Sequence, residues 1–226
     1  GDVRGFAQKG WKDVGEVTEA SLSGGFTMVQ IMPVGSETNG EYALTLDIAQ
    51  TNATGFAYCD YSLGFAATTD NASRLSAELI SAARTLFIPF DALSSASNKV
   101  SAIAAYFSAW PANKPIVTDA KTTDLASVLL LASLHGRSVH VTNVQSQDDI
   151  ALIALSKDKD LNVTCDVSIY SLFLNRTTYP LAACLPTEKD QEALWANMDV
   201  IDTLSVGNLP HQLATELGHA YSPRAG

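Results

Sequence analysis

Apolar and polar positions along the chain alternate between two periods. Segments such as "FTMVQIM" (26–32), "TLFIPF" (85–90), "PIVTD" (115–119), "SVHVTNV" (138–144) and "NVTCDVS" (162–168) are rich in β-branched and aromatic residues. Turn residues bound them, which predicts strands. "DVRGFA" (2–7), "FAYCDYSLGF" (56–65) and "DVIDTLSV" (199–206) complete a set of eight. Between them the apolar positions recur at helical spacing. Helices are predicted over 12–23, 41–50, 72–83, 99–109, 122–135, 147–158 and 188–197, the first weakened by Gly15. "TTDLASVLLLASLH" has Thr and Asp near its start and Gly136 just past its end, the signals that open and close a helix.

Eight strands, each but the last followed by a helix, predict an α/β fold of the (β/α)8 TIM-barrel kind. A doubly wound open sheet is the alternative. It lacks support from any GxGxxG or GxxxxGK[ST] fingerprint. The stretch "HQLATELGHAYSPRAG" after strand 8 is short for a final barrel helix. That leaves room for a distorted or imperfectly closed barrel. We read 1–226 as one domain cut from a longer polypeptide.

Composition narrows the function classes. The 226 residues carry a net charge of −10, with only 14 Lys and Arg, scattered along the chain. Phosphate backbones and anionic membranes need clustered cations, so neither nucleic acid nor a membrane surface is an expected partner. No apolar run is long enough for a membrane span, and no signal-like segment opens the sequence. The three cysteines, Cys59, Cys165 and Cys184, are far apart and form no CxxC. They point to neither a zinc ribbon nor a disulfide framework. The expected compartment is cytoplasmic. On that reading the four N-x-[ST] sequons, at Asn52, Asn71, Asn162 and Asn175, are chance matches.

Four collinear segments carry a family resemblance: "GGFTMVQIMP" (24–33), "RSVHVTNV" (137–144), "NVTCDVSIYSLFL" (162–174) and "EKDQEALWANMDVID" (188–202). Together they resemble the dihydroorotase domain of the multifunctional protein that starts pyrimidine synthesis in animals and fungi. The resemblance runs from about residue 2 to 211. It is to the fungal form that keeps this domain without its activity, and it implies an amidohydrolase-type barrel. It also implies flanking carbamoyl-phosphate synthetase and aspartate transcarbamoylase domains as partners, and homodimerisation.

Active members of that family hold zinc at the C-terminal mouth of the barrel. Their ligands are an HxH on strand 1, a carboxylated Lys on strand 4, a His after each of strands 5 and 6, and an Asp after strand 8. Imidazole and carboxylate oxygen suit Zn²⁺, whose bound water becomes the nucleophile. In this chain the resemblance places Arg4 and Phe6 at the HxH, and Gln8 at a substrate-binding Arg. It places Leu86 at the Lys, Asp119 and Asn143 at the two single His, and Gly207 at the Asp. Val34 stands at a substrate-contacting Asn, and only His211 matches a family substrate contact, which leaves it as a residual anion contact. No catalytic residue, metal ligand or zinc cofactor is therefore expected. Each missing ligand costs an order of magnitude or more in affinity.

Other polar residues have ordinary readings. His140, three residues before Asn143, is expected to face the helices in a packed or capped role. His135 ends a helix, where a cation suits the dipole, and Asp124 suits a helix start. Trp11, Trp110 and Trp195 are expected in the core or at an interface. Asp119 and Asp166, at strand ends, are the one acidic pair that could seed a new site. Hydrogen bonds to loops or helix caps are the commoner use. The leading function is a pseudoenzyme, a structural spacer in the multifunctional protein. A metabolite-binding regulatory module and an amidohydrolase with an altered metal site are the alternatives.

Overall fold

The computed structural model describes residues 2–4, 12–32, 54–68, 72, 75–90, 99–180 and 185–205. The chain divides into two compact units, one of residues 1–89 and 95–115, the other of 90–94 and 116–226.

In the first unit the described strands are β1 (Asp2–Arg4), β2 (Met28–Met32), β3 (Asp60–Ala66) and β4 (Thr85–Ile88). Neighbours pair in parallel and in chain order, with Asp2 opposite Gln30, Met28 opposite Asp60 and Gly64 opposite Thr85. Helices α1 (Lys12–Ser23), α2 (Ala77–Ala82) and α3 (Lys99–Ala109) belong to the same unit. The helix predicted over 72–83 begins later, because the Ser76 hydroxyl caps it by accepting the Leu79 N–H at 3.2 Å. The helix predicted over 41–50 lies outside the described residues.

β4 is buried along its whole length. Trp110, at the end of α3, is fully buried and stacks on Phe65 of β3, the ring centroids 6.5 Å apart. Tyr106 donates its hydroxyl to the Thr68 carbonyl at 2.6 Å and accepts the Thr68 N–H at 3.0 Å. Lys114 lies over the Trp110 ring, 5.9 Å from its centroid. Its ammonium bonds the carbonyls of Ile80 and Ala83 at the end of α2, satisfying acceptors that a helix C-terminus leaves open.

The second unit repeats the plan. Its strands are β5 (Ile116–Thr118), β6 (Val139–Val141), β7 (Val163–Ser168) and β8 (Thr203–Ser205), again parallel and in chain order. Its helices are α4 (Thr122–His135), α5 (Gln147–Asp158), α6 (Ile169–Phe173) and α7 (Glu188–Ala196). Val139, Val141, Val163, Cys165 and Val167 are buried. Leu125 and Val128 of α4 and Ile150 and Ile153 of α5 are buried too, and α5 packs on β7. α4 ends as expected, with Gly136 in the left-handed region at φ 58°. α7 opens with a capping box between Thr187 and Asp190.

Trp195 of α7 is half-exposed. It donates its indole N–H to the Leu172 carbonyl at 2.8 Å and packs edge-on to Phe173, 5.6 Å away. Among the described residues no helix is long and apolar enough to cross a membrane.

Candidate functional site

In a parallel α/β fold the reactive side chains sit at the C-terminal ends of the strands. In the second unit those ends present Asp119, Asn143, Asp166 and Ser205.

Asp166 is the centre of this group. It is buried on β7. One carboxylate oxygen accepts the Ser205 hydroxyl at 2.6 Å and the Asn143 N–H at 3.1 Å. The other lies 3.0 Å from His140 Nε2. Burial alone would raise the Asp166 carboxyl. Hydrogen bonds from His140, Ser205, Thr142 and the Asn143 N–H outweigh it and hold the group below the usual carboxylate range.

His140 is engaged at both ring nitrogens, with Thr164 Oγ1 2.9 Å from Nδ1. The alternation of β6 and β7 puts it on the side of Thr164 and Asp166, opposite the buried valines. This corrects the expectation that it faces the helices. Asn143 lies past the end of β6 at φ 59°, where strand alternation no longer applies.

Asn143 uses its backbone more than its side chain. The left-handed region favours Asn, His and Asp over most other residues. Its side-chain oxygen accepts from Gln145 Nε2 at 3.3 Å. Asp119 accepts the Phe90 N–H at 2.8 Å. Both members of the supposed acidic pair therefore hold loop backbone. Leu86, in β4 of the first unit, is fully buried and carries no donor atom. Arg4 ends β1, and only its backbone is described. Phe6, Gln8, Val34, Gly207 and His211 lie outside the described residues, as do Cys184 and Trp11. Among the described residues, no three His, Cys, Asp or Glu side chains are grouped so as to hold a metal ion.

An open depression of about 430 Å³ lies at the other ends of the first unit's strands, lined by Met28, Thr54, Ala57, Cys59, Asp60 and Tyr61. Its polar groups pair with each other, Thr54 Oγ1 standing 2.7 Å from the Tyr61 hydroxyl. Burial and the neighbouring Asp60 raise the Cys59 thiol, which makes it a poor nucleophile.

Several working residues lie outside any sequence motif. Ser205, Asp149 and Asp202 were invisible because their partners are remote. Asp190 was findable, since T-x-x-D before a helix is the capping-box pattern.

Comparison with known proteins gives this arrangement its context. No family model matches the chain. The multifunctional protein pyrABCN of Emericella nidulans is 51% identical over 224 residues, covering 99% of this chain and 10% of that protein. A multifunctional protein of Schizosaccharomyces pombe is 41% identical over 206 residues, 91% of this chain and 9% of the relative. The inactive dihydroorotase-like domain of the Chaetomium thermophilum CAD-like multifunctional protein superposes with a TM-score of 0.82 at 48% identity. It covers 92% of this chain and 61% of that one. The chain is a homologue of that domain. It spans about a tenth of the length of the curated relatives it matches. L-hydantoinase of Arthrobacter aurescens, at 15% identity and a TM-score of 0.70, shares the fold alone. The α/β barrel fold expected from the strand–helix alternation, of the amidohydrolase type that the resemblance implied, is thus the fold of this chain.

Proposed function

We propose that the chain is a dihydroorotase-like barrel without hydrolase activity or zinc. On this reading it serves as a structural spacer in the cytoplasmic multifunctional protein that initiates pyrimidine synthesis. Its partners are the flanking carbamoyl-phosphate synthetase and aspartate transcarbamoylase domains, and a second copy of itself. One observation carries the reading. Where a hydrolase of this fold needs free ligands and a base, Asp119 and Asp166 accept backbone N–H groups and Leu86 is apolar and buried. A carboxylate that already accepts hydrogen bonds is a weaker ligand and a weaker base.

Two experiments test it. Elemental mass spectrometry of protein purified with zinc and without chelators should find less than about a tenth of an equivalent. One or two tightly held equivalents overturn the metal-free reading. Deleting these residues from the full multifunctional protein should impair assembly more than the chemistry of the neighbouring domains. Normal assembly after deletion overturns the spacer.

A further inference from the structure

Among the described residues, five aspartates of the second unit act alike, each accepting a backbone N–H from a distant element. Asp119 takes that of Phe90 at 2.8 Å, and Asp166 that of Asn143 at 3.1 Å. Asp149, buried in the first turn of α5, takes that of Thr122 at 2.7 Å. Asp190 takes that of Gln147 at 2.9 Å, and Asp202 that of Cys165 at 2.8 Å. None is a local turn, since the separations run from 23 residues to 43.

Two of the receiving residues need such an acceptor. Thr122 stands at φ 52° and Asn143 at φ 59°. A β-branched residue in that region is strained and persists only where its surroundings hold it. A carboxylate makes a stronger hydrogen bond than a neutral acceptor, and a buried carboxylate needs donors of its own. One contact meets both needs.

Two of these contacts are mechanically linked through α5. Its first residue, Gln147, is held by one oxygen of Asp190, while the other oxygen closes the capping box of α7 on Thr187. Within the same turn of α5, Asp149 reaches across to Thr122. Asp149 itself is fixed by donating its N–H to the capping Ser146 hydroxyl at 3.1 Å. Moving the start of α5 moves the acceptor that holds Thr122.

We propose that Asp190 and Asp149 form a two-step fastening, in which α7 sets the start of α4 through the first turn of α5. Asp190 thereby governs the order of a helix start that a different carboxylate holds. This goes beyond the spacer reading and does not depend on it.

The test is amide hydrogen exchange at Thr122, measured in the whole 226-residue chain. Asp190→Ala should speed exchange at Thr122 by roughly five- to tenfold, in addition to the rise at Gln147. Thr187→Ala removes one donor to the other Asp190 oxygen but leaves the oxygen that accepts Gln147 and the Thr187 N–H that orients the carboxylate, so it should change Thr122 less than Asp190→Ala does. Asp149→Ala should expose Thr122 directly. An unaltered Thr122 in Asp190→Ala overturns the proposal, as does an equal rise in Thr187→Ala, which would trace the effect to fraying of α7. If Asp190→Ala does not fold, Asp190→Asn decides on the same amide, because it keeps an oxygen without the charge. A rise of about two- to threefold supports the coupling, and none overturns it.

Discussion

Asn143 shows how one position serves backbone geometry. Its left-handed φ of 59° is held by the bond from its N–H to Asp166. Glycine adopts that geometry freely, and valine does not. Asn143→Gly should therefore be close to neutral in urea denaturation, while Asn143→Val should cost about 1–3 kcal/mol. Cys165 is a second case. Burial pushes its thiol up to about 11, against the opposing pull of the Asp202 hydrogen bond and the Lys157 charge. In the native state at pH 8 a maleimide should leave Cys165 unlabelled, and urea should expose it to rapid labelling. At this scale the sequence reading picked out Asn143 and Asp166 as polar residues near strand ends, because a residue type is local information. It missed the left-handed backbone, because "VTNV" has the composition of a strand and the turn is made by a carboxylate on β7.

At the scale of elements the alternation of strand and helix was legible where periodicity and punctuation agreed. The limits of α4, 122 to 135, follow from its apolar face and from Gly136. Gly136 faces open space, so an added methyl meets nothing within 4 Å, and only its φ of 58° resists substitution. Gly136→Ala should therefore destabilise the chain by about 1 kcal/mol in equilibrium unfolding, with the native contacts unchanged. The strand predicted over 138–144 shortens to Val139–Val141: the Thr142 N–H makes the last bond to β5, on the Thr118 carbonyl, and Asn143 turns away to the Asp166 carboxylate. Helix α6 was missed altogether. "IYSLF" has five residues, too few to show a period, and starts directly after β7 on the Ser168 cap.

For the whole molecule, a net charge of −10 looked like a statement about partners. The structure gives part of that charge an internal use. Burial works against ionisation of Asp166, Asp190 and Asp202, yet hydrogen bonds hold all three carboxyls below the ordinary value of 3.8. Asp202 adds an ion pair with Lys157 at 2.7 Å. A carboxylate with a lowered folded pKa stabilises fully above its unfolded value, and that contribution disappears as pH falls through the folded one. The urea midpoint should stay level from about pH 7 to 5 and fall steeply below about pH 4. Asp202→Asn should flatten that fall, and an unchanged slope would remove Asp202 from the account.

The two described tryptophans differ in one further respect. Trp110 is sealed against Phe65 in the first unit, and Trp195 is half-exposed beside Phe173 in the second. Their emission should separate by wavelength and by access to acrylamide, Trp110 blue-shifted and shielded, Trp195 red-shifted and readily quenched. With Trp11 also replaced by phenylalanine, each unit carries one optical probe, and replacing either remaining indole leaves the other to report on a single half of the chain.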